Sequence, residues 1–263
     1  MTIPERYRKA VIILLGLALI LLSACAGIMG GRSTGAPGAD GILDRYIAAT
    51  GGEAAYARLH NRVTTGTFEI TQAGIRGDVA IYHARPHQMY TEIDLEGIGR
   101  QQSGVSGEVV WELSPMTGPR IKSGEEQRTA LRDGTFDRFI VWRELYPEVV
   151  YEGIAEVDGQ SCHQVVLKPE GGSPQTFYFD QRSGLMVKTT AEVATPMGAI
   201  KVDTYPGDYR EVDGVLLPFV ARAEMMGQSR TITTTSVEHN VDLGEDVFAL
   251  PAEIQTLLES GAP

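Results

Sequence analysis

Two histidines of this sequence have the spacing of metal ligands. His83 and His87 are four residues apart, which on an α-helix would place both side chains on one face. Pro86 lies between them, and the neighbouring residues have the pattern of a strand followed by a turn, so helical geometry is not available. We therefore interpret both histidines as surface or turn residues and predict no metal site.

Three carboxylates, Glu92, Asp94 and Glu96, alternate with apolar residues and share one face of a predicted strand. Such a row could bind a cation or supply a general acid and base. No second group of ligands or nucleophiles lies beside it in the sequence, and a half-buried strand commonly has one solvated face. We interpret the row as that solvated face.

Cys162 and His163 are adjacent, which in a strand directs their side chains to opposite faces. They cannot then act together as a nucleophile and its base, and Cys162 is better interpreted as a small buried residue. The sequence also lacks the Gly-x-Ser-x-Gly, Ser-x-x-Lys, His-Glu-x-x-His and phosphate-loop motifs. We predict a protein without enzymatic activity, metal or cofactor.

The N-terminal residues predict lipid attachment. Three basic residues between positions 6 and 9 precede an apolar run over residues 11–22, which leads into Leu22-Ser23-Ala24-Cys25. A basic start, a short apolar core and small residues at its end are typical of a secretory signal peptide. The last four residues resemble a bacterial lipobox, in which the cysteine is acylated and becomes the first residue of the mature protein. We predict cleavage after Ala24 and fatty acyl groups such as palmitate on Cys25.

An uncleaved transmembrane helix over Ala10 to Gly30 is the alternative, since about 20 apolar residues span a bilayer. Ser23 and several glycines interrupt that stretch, which favours the signal peptide. Ala26, rather than Asp, follows the cysteine, and in the lipoproteins that the motif resembles this favours the outer membrane. We predict a signal peptide over 1–24, a lipid anchor and flexible tether over 25–39, and one domain over 40–263 that faces the periplasm.

The charge of the mature chain argues against nucleic acid as a partner. Cleavage would leave 20 Lys and Arg residues against 33 Asp and Glu residues, a formal charge of −13. Binding to nucleic acid depends on clustered basic residues that displace counterions, and no such cluster occurs after residue 25. We therefore predict no nucleic-acid partner.

Apolar and polar residues alternate from Val63 onward, and turn signals divide the chain into short segments. Between residues 158 and 228 the turns recur about every 12 to 15 residues, a spacing typical of hairpin-linked antiparallel strands. This pattern predicts a long antiparallel β meander with one apolar face. The turn signals lie at 73–74, 114–119, 158–159, 171–172, 182–184, 196–198, 213–214 and 227.

A few helices are predicted outside the meander. Asp40 is expected to cap a helix that ends at Gly51-Gly52 and is followed by a second short turn. Thr135–Tyr146 is expected to form a helix with apolar residues on several faces, and Pro147 ends it. Pro251–Ser260 is expected to form a short amphipathic helix that closes one end of the sheet.

Several stretches have the signatures of particular strands and hairpins. They are Ile42-Leu43-x-x-Tyr46-Ile47-x-Ala49-x-Gly51-Gly52 with Leu59 and the strand Val63 to Ile70, Phe177-Tyr178-Phe179-Asp180-x-x-x-Gly184-Leu185, Asp208-Tyr209-Arg210-Glu211-Val212-Asp213-Gly214-Val215-x-Leu217-Pro218, and Val241-Asp242-Leu243 to Phe248-Ala249-Leu250-Pro251. In this order, over most of residues 40–250, they resemble the LolA/LolB-like superfamily of periplasmic lipoprotein carriers and outer-membrane lipoprotein-sorting-like proteins.

The resemblance implies a mainly β protein with a few helices, in which a curved antiparallel sheet forms an incomplete β barrel covered by helices. It also implies that the concave apolar face holds acyl chains, as lipid or lipoprotein. Aromatic and apolar residues of the predicted sheet and of Thr135–Tyr146 are the candidate contacts, and ordinary core packing of these side chains is the alternative. The candidates are Trp111, Phe136, Phe139, Ile140, Trp142, Phe177, Phe179 and Phe219.

Two functions from different classes follow. The first is a lipid-anchored envelope protein that binds an acyl chain or another apolar ligand beneath a helical lid, without catalysis. The second is an envelope scaffold or accessory subunit that binds another protein through the sheet and takes no small ligand. A hydrolase is a third alternative that the missing nucleophile motifs disfavour. An unfilled apolar cavity would favour the first function.

Overall fold

The computed structural model describes residues 38–195, 198–244 and 246–260. The predicted signal peptide and Cys25 lie outside the described residues. No helix within the described ranges has the length and apolar character needed to cross a membrane.

Thirteen strands form one antiparallel sheet. In the sheet they lie in the order β6-β5-β4-β3-β2-β1-β13-β12-β11-β10-β9-β8-β7, so the described sheet is open, with β6 and β7 at its two ends. This confirms a mainly β fold built on an antiparallel sheet. The strands are β1 Asn61–Ile70, β2 Ile75–Ala84, β3 Gln88–Leu95, β4 Gly99–Ser106, β5 Val109–Ser114, β6 Gly118–Ile121, β7 Glu148–Val157, β8 Gln160–Lys168, β9 Gln175–Asp180, β10 Met186–Thr195, β11 Gly198–Val212, β12 Val215–Met225 and β13 Gln228–His239.

Two meanders, β1 to β6 and β7 to β13, are joined by the pairing of the first strand with the last. Arg62 lies opposite His239 in this pair, and the register shifts by one residue between Thr65 and Gly66. Asp158 and Asp213 have positive φ angles of 49° and 53°, which the two-residue Asp-Gly turns of these hairpins require. The predicted turns at 73–74, 158–159, 171–172, 182–184, 213–214 and 227 all lie between consecutive strands.

Five α-helices accompany the sheet in the described ranges. The helix predicted after Asp40 is confirmed, but it begins at Ala39 after Gly38, without a side-chain cap, so the capping role given to Asp40 is wrong. The C-terminal helix is confirmed within one residue and packs on the end strand β6, as expected. The helices are α1 Ala39–Ala49, α2 Glu53–Tyr56, α3 Gly124–Asp133, α4 Trp142–Leu145 and α5 Ala252–Ser260.

The helix predicted over Thr135–Tyr146 is wrong for most of its length. Only α4, Trp142–Leu145, is α-helical, and residues 136–141 form turns. Asp137 has a φ of 56°, a left-handed conformation that an α-helix cannot contain. The apolar pattern of this stretch was therefore a sign of burial and not of helical geometry.

Buried apolar side chains form two large clusters on the sheet. The aromatic cluster joins α1 and α2 to residues 136–146 and to strands β8, β9, β10 and β12. The aliphatic cluster joins strands β1 to β5 and β13 to Ala130 of α3. Principal members of the aromatic cluster are Tyr46, Tyr56, Phe136, Phe139, Trp142, Tyr146, Phe177, Phe179 and Leu217, and those of the aliphatic cluster are Phe68, Ile70, Val79, Ile81, Ile93, Leu95 and Ile232.

Candidate functional site

A small pocket, with room for about 20 Å³ of solvent, lies where the two clusters meet. Ile81 on its wall belongs to the aliphatic cluster, and Leu217 belongs to the aromatic cluster. The pocket is therefore bordered by both clusters. Its lining consists of Arg62, Thr64, Ile81, His83, Leu217, Pro218, Thr234 and Val237.

Strand register places these residues in two successive rows. Arg62 of β1 lies directly opposite His83 of β2 and His239 of β13. Thr64, two residues further along β1, lies opposite Ile81 and Val237. Directly opposed residues of antiparallel strands, and residues two apart on one strand, share a face of the sheet. A row rich in nitrogen donors therefore lies beside a mostly apolar row.

His83 is buried, with 3% of its surface exposed, so its predicted surface position is wrong. Strand β2 places it on the same face as Ile81, and its ring packs edge-on against Phe136 at 5.0 Å between centroids. His83 Nε2 donates to the carbonyl oxygen of Gly134 at 2.8 Å. Burial, aided by the nearby Arg62 cation, lowers the pKa of His83 to about 3, so the imidazole is neutral at physiological pH. His87 lies exposed in the turn after β2, as predicted.

Arg62 is the cation of the pocket wall, and only 4% of its surface is exposed. Its guanidinium carbon lies 5.5 Å from the centre of the Phe136 ring, within the range of a cation–π contact. Burial lowers the pKa of Arg62, and the charge of Asp137 and the Tyr56 hydroxyl oppose that shift. The guanidinium has thus lost much of its hydration without leaving the pocket surface.

The turn 136–141 is fastened beside the pocket by an ion pair between Arg85 and Asp137. Arg85 also donates from Nε to the carbonyl oxygen of Leu59 at 2.7 Å and from Nη2 to that of Tyr56 at 3.0 Å. The Arg85 guanidinium carbon lies 5.1 Å from the centre of the Phe136 ring. One arginine therefore ties this turn to the segment that follows α2.

Six of the eight residues predicted to contact an apolar ligand come together in the aromatic cluster. Phe139 packs edge-to-face against Tyr46 at 5.2 Å and against Phe177 at 5.4 Å between centroids. The ring centroids of Phe179 and Tyr46 lie 5.1 Å apart, so these two rings also pack against each other. Five of the six, Phe136, Phe139, Trp142, Phe177 and Phe179, are buried, and Ile140 packs against the cluster.

The other two predicted contacts lie elsewhere. Trp111 stacks on Tyr90 with centroids 6.1 Å apart, and its indole occupies the space beside Gly104, where a Cβ would approach Nε1 to 2.7 Å. Phe219 is buried beneath the guanidinium of Arg210, whose carbon lies 4.5 Å from the ring centre. Neither residue lines the pocket.

The remaining polar candidates occupy the positions expected of them. Glu92 accepts a hydrogen bond of 2.6 Å from the Tyr90 hydroxyl and pairs with Arg100, and Asp94 is exposed, so the carboxylate row is a solvated face. Cys162 is buried, and burial raises the pKa of its thiol. Among the residues that the structure describes, no three His, Cys, Asp or Glu side chains are arranged to hold a metal ion.

Comparison with solved structures identifies the fold. A LolA superfamily protein from Nitrosomonas europaea superposes with a TM-score of 0.57 and 13% identity, over 82% of this chain and 99% of that one. The chain has a LolA-like fold. A DUF1329 family protein from Desulfovibrio piger gives a TM-score of 0.57 and 13% identity over 83% and 100% of the two chains. A Vibrio parahaemolyticus domain described as an outer membrane lipoprotein-sorting protein gives a TM-score of 0.55 and 12% identity, over 81% of this chain and 96% of that one. No family model and no curated protein matches the sequence.

The pocket in this LolA-like fold includes residues that the sequence prediction did not select. Arg62, Thr64, Gly66, Phe68 and Ile70 alternate along β1. That alternation places Arg62 on the apolar face, where a cation needs a partner or a function. The signal was therefore present in the sequence as a basic residue on the inward-facing register of a strand.

Proposed function

We propose that this is a lipid-anchored protein of the cell envelope that binds an acyl chain, as lipid or lipoprotein, on the inner face of an incomplete barrel covered by helices. The observation that carries the proposal is the pocket between the aromatic and aliphatic clusters. The LolA-like fold supports it, since one similar structure is described as an outer membrane lipoprotein-sorting protein. The protein acts by shielding its ligand from water and not by catalysis.

The energetics of burial make such binding effective. Transfer of a methylene from water to an apolar environment contributes about 0.8 kcal/mol. Burial of a dozen carbons in the protein can therefore compete with their burial in a membrane. In this structure the pocket is too small for such a chain, so an entering ligand would have to displace aromatic side chains. The turn 136–141, which packs against the pocket residues Arg62 and His83 through Phe136, is the segment that would move, because it is tied by the Arg85–Asp137 ion pair and by ring contacts and not by strand pairing.

In this proposal the six candidate residues of the aromatic cluster give up contacts among themselves and contact the acyl chain instead. Phe136 is the first to do so, because its ring packs directly against the pocket residues Arg62 and His83. Phe139 lies deeper, between Tyr46 and Phe177. Trp111 and Phe219 take no part, since other side chains occupy their faces.

The anchor belongs to the same proposal. An acylated Cys25 would hold the protein on a membrane, and the Gly-rich tether before Asp40 would let the domain stand away from the surface. With Ala26 after the cysteine, we propose the outer membrane, with the domain facing the periplasm. The negative charge of the chain keeps the domain off anionic lipid except through its anchor.

The test is photo-crosslinking of the full-length protein in living cells. A benzoylphenylalanine at Ile81 in the pocket, and another at Met226 in the exposed β12–β13 turn, report on the inner face and on solvent. Mass spectrometry of the tryptic peptide that contains each probe separates these adducts from acyl groups on Cys25. We expect an acyl-bearing adduct at position 81 and none at 226. Equal labelling at both positions, or none at 81, contradicts the proposal.

A protein-binding function is the second candidate, and the end strand β7 favours it. Ile154 of β7 has 64% of its surface exposed, and β8 is its strand neighbour on one side. An extended segment of another protein could add to this edge. A probe at Ile154 in the same experiment would then yield a peptide adduct without an acyl group, whereas the acyl-binding function predicts that any adduct at position 81 bears an acyl chain.

A further inference from the structure

The pocket is amphipathic along its length. At one end Arg62 is flanked in register by His83 and His239, and two residues further Thr64 is flanked by Ile81 and Val237. Leu217 and Pro218 continue the apolar side. A ligand that follows the strands would therefore meet a cation first and apolar side chains next.

The charges around Arg62 leave a positive balance at this end. Asp137 is almost fully buried and faces two guanidinium groups, that of Arg85, with which it forms an ion pair, and that of Arg62. One carboxylate between two arginines gives the group a net charge of +1. Arg138 and Asp133, also close by, pair with each other and do not alter this balance.

The two neighbouring imidazoles, those of His83 and His239, are neutral and add no charge. The nearby Asp213 carboxylate is exposed to solvent. The pKa values of His83 and His239 are both lowered by burial. His239 Nδ1 lies 2.8 Å from Oδ2 of Asp213, whose side chain is 59% exposed and therefore screened by water. Arg62 remains the cation that the pocket itself presents.

We propose that the pocket selects amphiphiles with an anionic head group, whose oxygen atoms bind the Arg62 guanidinium while the acyl chain runs past Ile81 and Leu217. The inference rests on the proposed function and names its ligand class. Hydroxyl groups of Thr64 and Thr234 line the same pocket and can donate to the same oxygen atoms. A guanidinium binds carboxylate and phosphate oxygens through paired, charge-assisted hydrogen bonds, which are stronger than neutral ones.

Selection of an anion must act at short range in this protein. The chain as a whole carries a formal charge of −11, so its long-range field repels an anionic ligand. A desolvated guanidinium compensates for this, because removal from water strengthens its attraction for a contacting anion. Replacing Arg62 by an apolar side chain of similar length should therefore remove head-group selection and leave the apolar contacts in place.

The experiment uses purified full-length protein and two photoreactive probes. One is a long-chain fatty acid with a diazirine in its chain, and the other is the methyl ester of the same acid. Labelling of the peptides that line the pocket is compared for the wild type, Arg62→Met and Arg62→Lys. Arg76→Met, which removes an exposed arginine of β2, is the matched control, and thermal melting verifies that each variant is folded.

We expect the wild type and Arg76→Met to prefer the acid over the ester by about tenfold, the effect of one charge-assisted hydrogen bond. Arg62→Met should abolish the preference, and Arg62→Lys should retain part of it. Equal labelling of the pocket by both probes in the wild type would overturn head-group selection and leave acyl binding intact. No pocket labelling by either probe would overturn the proposed function as well.

Competition distinguishes the two sources of an anionic head group. Palmitate and a lysophosphatidic acid of the same chain length are each added against the photoreactive acid, and inorganic phosphate is added alone. Competition by either lipid supports the proposal and shows which head group binds more tightly. Competition by inorganic phosphate at the same concentration as the lipids would overturn it, because the site would then be an anion site without a role for the acyl chain.

Discussion

Replacement of Phe139 by alanine tests whether residues 136–146 are part of the folded core. The Phe139 ring is buried and packs edge-to-face against Tyr46 and Phe177. Removing a buried Phe side chain costs about 3–5 kcal/mol, and each aromatic pair supplies about 0.5–1.5 kcal/mol of that sum. Since domains are stable by about 5–15 kcal/mol, this is a large fraction of the total.

Thermal unfolding of full-length protein, followed by near-ultraviolet circular dichroism, measures the effect. For a domain of this size about 2–4 °C is lost for each kcal/mol, so Phe139→Ala should melt about 6–20 °C below the wild type. Leu258→Ala is the control, because Leu258 on α5 is 45% exposed and should change the melting temperature little. A Phe139→Ala protein that melts like Leu258→Ala would refute the packing described here.

Three further predictions concern other parts of the chain. Cys25→Ala should abolish acylation, so that radiolabelled palmitate no longer enters the protein in growing cells; a mutant that is still labelled would contradict the lipid anchor. The pKa of His83 is about 3 in the folded state and 6.5 in an unfolded chain. The unfolded state therefore binds more protons between these pH values, and the free energy of unfolding should fall as the pH is lowered from 6.5 to 3. His83→Gln should flatten that dependence in urea titrations at several pH values, and an unchanged slope would argue against a buried neutral His83. Gly104→Ala should cost about 1–3 kcal/mol and shift the tryptophan fluorescence, since the new Cβ collides with Trp111; wild-type melting would contradict this contact.

Local sequence patterns were sufficient to predict the antiparallel meander and six of its turns. Alternation with period two and the Asp-Gly and Gly turns predicted hairpins that the structure confirms, because such turns join neighbouring strands directly. The pairing of β1 with β13 was beyond these patterns, since no turn connects strands so distant in sequence. Residues 136–141 were assigned to a helix because their apolar pattern does not reveal the left-handed Asp137.

The candidate site was predicted only in part, for a physical reason. The aromatic residues were selected as candidate ligand contacts, and six of the eight candidates lie together around Phe139, because large apolar side chains collect in a core. Trp111 was placed with them because composition does not tell which face of the sheet an aromatic residue takes. Arg62 was not selected, although its register marks it as inward, and His83 was assigned to the surface because its neighbour Pro86 suggested a turn.

Mass spectrometry of ligands that copurify with the full-length protein tests acyl binding most directly. The protein is isolated from its cells without denaturation and bound lipid is extracted with solvent, which leaves any acyl group attached to Cys25 with the chain. Val237→Trp, which places a large ring in the pocket, is the comparison. We predict about one acyl-bearing molecule per wild-type protein and much less in the variant. Wild-type protein that yields no acyl-bearing molecule, even after lipid is added back, would contradict the account.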